Sequence, residues 1–98
     1  MRMTRFVYSP EAAHDLEQLV DFLLQRDAAA AIKTIDIITD AVALLMQHPL
    51  IGRPAAHGLR ELVISRGKTG YLALYEFDET HDLVIVLAVR HQREQDYH

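Results

Sequence analysis

Cysteine is absent from the 98 residues. Disulfide frameworks and thiolate zinc sites are therefore excluded. No apolar run approaches the roughly 18 residues that a membrane span requires. The opening MRMTRFVYSP also lacks the long apolar segment of a secretory signal, so we expect a cytoplasmic location and no membrane contact. Lysine is scarce, with Lys33 and Lys68 alone, and the formal net charge is −4. Simple nucleic-acid binders usually start from a basic surface, and this chain does not.

What is present describes a soluble globular chain: 50% of the residues are hydrophobic and 24% charged. The length suits one domain over residues 1–98, with a single core and no staples. Charge is uneven along it. Residues 9–48 set seven acids against Arg26 and Lys33, whereas residues 49–75 set Arg53, Arg60, Arg66 and Lys68 against Glu61. A locally basic middle can meet phosphate despite the acidic total.

The chain divides into six elements. TRFVY (4–8) is β-branched and aromatic enough for a first strand. Ser9 then reads as an N-cap, with Pro10 at the first helical position and Glu11 favourable to the helix dipole. Ala12, Leu16, Leu19, Val20 and Leu23 form one stripe of an amphipathic helix ending near Arg26. A second helix carries the broader face of Ala31, Ile35, Ile38, Val42 and Leu45, and Pro49 closes it. The short break predicts an antiparallel helical hairpin. HPLIGRPAAHG (48–58) reads as a connecting loop. Three strand-like runs follow, at 59–65, 71–77 and 83–89, separated by the turn segments RGKTG and DETHD. The last run is apolar throughout, as in a central strand covered on both faces or one that pairs with a partner. The expected fold is α+β, in the order β-α-α-β-β-β, an antiparallel sheet with a helical hairpin on one face.

Six histidines (14, 48, 57, 81, 91 and 98) are scattered without paired spacing, so no metal or other cofactor is expected. RGKTG lacks the full phosphate-loop pattern and sits between strands, where a hairpin turn is the better reading. Ser9 is a cap and Ser65 has no evident oxyanion loop, which leaves no nucleophile. The acidic helical face reads as solvent-facing polarity. More informative are Arg53, Arg60, Arg66, Lys68, Arg90, His91, Arg93 and Tyr97. Arg60 opens one strand and Arg90–His91 end another. If those strands are antiparallel neighbours, the cluster suits a phosphodiester: arginines neutralise phosphate, and His and Tyr exchange protons or stack on a base. The plainer reading, which the residues alone favour, is an intramolecular ion pair at Arg60 and a frayed tail.

Taken together, DLEQLVDFL, LLMQHPLIGRP, GLRELVIS, YLALYEF and LVIVLAVRHQRE resemble the RelE/ParE superfamily of type II toxin–antitoxin toxins, over almost the entire chain. The likeness is greatest to the ParE-like, plasmid-stabilisation branch. It implies a growth-inhibiting toxin neutralised by a cognate antitoxin, in a hetero-oligomer that reaches operator DNA only through that antitoxin. ParE-like members poison DNA gyrase without catalysis. RelE-like members cleave mRNA on the ribosome, and non-toxic members keep only the antitoxin-binding surface. In the RelE-like case the catalytic candidates are Arg60 and Arg90, which match by position, with His91 and Tyr97 as acid/base or stacking groups. Arg53, Arg60, Arg66, Lys68 and Arg93 are the target-binding candidates, though Pro54 suits Arg53 equally to holding its loop. The acidic balance and the two lysines depart from the strongly basic RelE-like pattern and favour gyrase inhibition. The resemblance also implies a helical groove and an exposed sheet edge that accept a partner segment, and an isolated chain prone to self-association.

Overall fold

The computed structural model describes residues 4–64 and 70–91. Strand β1 (Arg5–Tyr8) runs directly into α1 (Pro10–Leu24). The hinge is Ser9, whose extended backbone lets Oγ accept the Ala12 N–H at 3.0 Å. That bond satisfies one of the amides a helix start leaves orphaned, and Pro10 has no N–H to satisfy. Asp27 repeats the device for α2 (Ala28–Ala43), with Oδ1 accepting from Ala29 (3.0 Å) and Ala30 (3.3 Å). With α1 ending at Leu24 and α2 capped at Asp27, the connection is too short for anything but a reversal, and the hairpin forms as expected. A 3₁₀ turn at Leu44–Met46 ends the helical region ahead of Pro49.

The 48–58 segment is more ordered than a bare loop. It contains a two-residue strand, β2 (Arg53–Pro54), and a 3₁₀ turn at Ala56–Gly58. Strands β3 (Arg60–Ile64), β4 (Tyr71–Asp78) and β5 (Leu83–His91) follow. They form one five-stranded sheet in the order β1-β5-β4-β3-β2. Its pairings are antiparallel except one. β1 lies parallel to β5, with Arg5 opposite Leu83 and Tyr8 opposite Val86, so the sheet is mixed rather than antiparallel. β1 and β5 are separated in the chain by both helices and by β2, β3 and β4, so no tight turn sets their relative direction, and a connection of that length permits the parallel pairing.

The helices cover one face. Ile38, Val42 and Leu45 pack there against Tyr75, Val84, Val86 and the rest of a single cluster from β3, β4 and β5. β5 is central, and among the described residues its two faces are unequally covered: Val84, Val86 and Val89 are buried, whereas Ile85, Leu87 and Ala88 are only partly buried. With Val7, Val63 and Leu74 they leave an aliphatic strip on the sheet's other side.

Tyr75 ties the loop to this core. Its hydroxyl accepts the Gly52 N–H (2.9 Å) and donates to Pro49 O (2.8 Å). Gly52 is required by proximity: a Cβ there would sit 2.6 Å from Tyr75 Oη and 3.0 Å from Glu61 O. Burial pushes the Tyr75 hydroxyl above its ordinary pKa, against the pull of the Gly52 amide and the Arg60 charge.

Tyr75→Phe strands the Gly52 amide and the Pro49 carbonyl, and should cost about 1–3 kcal/mol in denaturant unfolding. The alkaline limb offers a second check. Because the folded chain holds the Tyr75 proton more tightly, its stabilisation is complete below the unfolded pKa of about 10 and is lost as pH rises through the raised folded value. The variant should therefore show a shallower alkaline decline, to which Tyr8, also raised by burial, still contributes.

Candidate functional site

Strand register decides which of the sequence-predicted groups can act together. Arg60 lies opposite Tyr75 on β4, and Arg90 lies opposite Leu72, whose other neighbour is Val63. β4 therefore separates β3 from β5. Arg60 and Arg90 are also offset by three positions along β4, which puts them roughly 14 Å apart by ordinary strand spacing. Because Arg60 and Val63 are an odd number of residues apart, the two arginines belong to opposite faces. The condition under which they would form one site, adjacent antiparallel strands, is not met.

Arg60 is engaged elsewhere. It shares the helix-side face with Tyr75, and Nη1 donates to Gly52 O (2.8 Å) and Leu50 O (3.2 Å). These are the carbonyls of the strap that Tyr75 holds, so Arg60 and Tyr75 pin the loop jointly. Pinned in this way, the loop holds Leu50 and Ile51 about half-exposed at its tip.

Arg53 lies on β2 opposite Glu61. Its Nε (2.8 Å) and Nη2 both donate to Glu61 Oε1. The open face of the sheet thus carries a neutralised pair where the sequence suggested a cation for the target. Glu61 was the overlooked partner, although a lone acid among the cations of residues 49–75 was the available signal. Arg5, also exposed, donates to His81 O at 3.2 Å.

Arg90 is exposed on the open face, above a shallow depression lined by Glu61, Leu72, Leu74 and Ala88. His91, the next residue, faces the other way and meets the Tyr71 ring edge-on at 5.2 Å. Arg90 and His91 are neighbours in sequence but point to opposite sides of the sheet. Arg66, Lys68, Arg93 and Tyr97 lie outside the described residues.

A cavity of about 630 Å³ opens between α1 and the end of β5. Asp15, Leu19 and Phe22 line one wall, and Val89, Arg90 and His91 the other. Phe22 is about half-exposed, with the Arg26 guanidinium 4.3 Å from its ring centre. The helical stripe read from the sequence omitted Phe22 because it falls beside the core-facing positions. An aromatic residue off the stripe was the visible sign of a second apolar surface. On the far side of α1, Leu16, Val20 and Ile35 line a smaller cleft against α2. Ile32 and Leu24 are likewise exposed.

The chain matches the family model for the ParE toxin of the type II toxin–antitoxin system parDE over residues 6–96. It is 36% identical over 86 residues to Toxin RelE3 of Caulobacter vibrioides, covering 88% of this chain and 91% of that one. Among solved structures it resembles the chromosomal ParDE toxin–antitoxin system of P. aeruginosa, with a TM-score of 0.73, 23% identity, and 90% and 95% of the two chains covered. It also resembles the RelBE2 toxin–antitoxin complex of Mycobacterium tuberculosis, with a TM-score of 0.62, 24% identity, and 92% and 99% covered. At those identities the structural likeness establishes the shared fold.

The geometry separates two arginines by stability. Arg60→Ala should lower unfolding free energy by about 1–3 kcal/mol, through lost loop bonds. Arg90→Ala, at an exposed site, should stay within about 0.5 kcal/mol of the parent. Thermal and denaturant melts of both variants check this.

Proposed function

This chain belongs to the ParE family of toxins of type II toxin–antitoxin systems, and we propose that it arrests growth by binding DNA gyrase, without chemistry of its own. The observation that carries this reading is the dispersal of the basic groups. Metal-independent RNA cleavage by a 2′-hydroxyl needs a base, an acid and a cation around a single phosphate. Arg60 is instead committed to the loop carbonyls, Arg53 is neutralised by Glu61, and Arg90 and His91 face opposite sides. The open face offers aliphatic side chains, among them Val63 and Ile85, with arginine at the strand end. Such a surface suits a protein target better than a ribosomal RNA groove, which would call for a strongly basic face. Arg90 is the target contact best supported by exposure.

A cognate antitoxin is the natural occupant of the apolar groove on α1. Leu19 and Phe22, with Leu16, Val20 and Ile35 on the other side of the helix, leave more aliphatic surface uncovered than a monomer needs. An amphipathic partner helix would cover it. Operator DNA would be reached only through that partner, in the cytoplasm. A second mechanism, ribosome-dependent mRNA cleavage, draws support from the name of the Caulobacter relative. It would rest on Arg60, Arg90, His91 and Tyr97.

Two assays on the purified chain separate the mechanisms. In cell-free translation programmed with ready-made mRNA, the toxin should leave protein synthesis and message intact. In a gyrase supercoiling reaction it should inhibit, with antitoxin restoring activity. Cleaved mRNA and antitoxin-reversible translation arrest would overturn the gyrase reading.

A further inference from the structure

β1 covers only part of the edge of β5. Their pairing stops at Tyr8 and Val86. Beyond that point Leu87 is an extra residue, opposite the Leu74–Tyr75 step of β4, and the strand bulges. The start of α1 then takes over the edge. Ser9 donates its N–H to Val86 O at 2.8 Å and its Oγ to Leu87 O at 3.3 Å. Asp15, farther along the helix, accepts the Val89 N–H on Oδ2 at 3.0 Å. Val89 is 6% exposed, so its amide has little access to water. A carboxylate in this place makes a charge-assisted bond, stronger than an ordinary backbone pair.

We propose that Asp15 is a positioning residue for the target-binding end of the toxin: by holding the Val89 amide it fixes the end of β5 against α1 and sets the direction in which Arg90 leaves the sheet. The inference rests on Arg90 being a target contact. Ser9 and Asp15 do for residues 87–91 what β1 does for residues 83–86. Without Asp15 the Val89 amide loses the bond that ties it to α1. The same carboxylate lines the α1 groove beside Leu19 and Phe22, so a partner seated in that groove bears on the strand end.

The test uses the full-length chain and three variants, Asp15→Ala, Asp15→Asn and Asp15→Leu. Amide hydrogen exchange is read at Val89, with Ala73 in β4 as reference, and growth arrest is measured on expression without antitoxin. Asp15→Ala should speed Val89 exchange about tenfold relative to Ala73 and weaken growth arrest by a similar factor, the size expected of one such bond. Asp15→Asn keeps an oxygen acceptor and should restore most of both. Asp15→Leu supplies apolar bulk without an acceptor, and should behave as Asp15→Ala even if the alanine variant folds poorly. The proposal is overturned if Val89 exchange or growth arrest is unchanged in the acceptor-less variants. It is also overturned if Ala73 accelerates equally, or if Asp15→Asn falls as far as Asp15→Ala. Growth arrest does not depend on which target is hit, so a wild-type chain that stops translation would overturn the gyrase reading and leave the Asp15 comparison standing. A wild-type chain with no growth arrest would overturn both.

Discussion

β5 has to satisfy hydrogen bonds along both its edges, and much of the architecture follows from how it does so. On one side β4 accompanies it from Leu83 to His91. On the other, β1 pairs as far as Val86, and Ser9 and Asp15 of α1 take the edge from there. A buried backbone amide without a partner costs on the order of 1–3 kcal/mol, so the end of β1, the bulge at Leu87 and the approach of α1 are one solution to a single requirement. The approach is close enough that Ala12 has no exposed surface. It also hangs the helical hairpin on the sheet's inner face and leaves the outer face open.

The second organising contact is the strap across residues 49–52. Tyr75 and Arg60 hold it from below, and Gly52 allows the ring to approach. This changes the meaning of an arginine. A guanidinium at a strand start looks like a phosphate ligand when only residue types are known. Two backbone carbonyls within reach make it a structural donor. Arg53 undergoes the same change through Glu61. The chain therefore keeps the order of elements found in the toxin family, while among the described residues Arg53 and Arg60 are spent on the chain itself.

Much of the fold was legible from local chemistry. Ser9-Pro10-Glu11 marked the start of α1, Pro49 bounded the second helix, and the turn segment DETHD separated β4 from β5. These signals act within a few residues, and they survived intact. The Asp27 cap was equally local and went unremarked. What was misjudged involved distance along the chain. The parallel pairing of β1 with β5 joins segments nearly eighty residues apart, and no turn between them announces a direction. The strand expected at 59–65 is present over Arg60–Ile64, with residue 65 outside the described residues, but two residues of the supposed loop pair with it as β2. The candidate site was less legible than the fold. A list of Arg, His and Tyr specifies chemistry, but a shift of three residues between strands sends two of them to opposite faces.

The sequence by itself determined the two helices, the strand segments other than β2 and the lack of a cysteine-based site, because each of these depends on residue spacing or on composition along a continuous stretch. Tertiary structure alone decided the mixed sheet, the open outer face, the commitment of Arg60 and Arg53, and the bond from Asp15 to Val89. The physical reason is that hydrogen-bond partners and strand faces are set by register between segments remote in the chain, and register is a property of the assembled sheet.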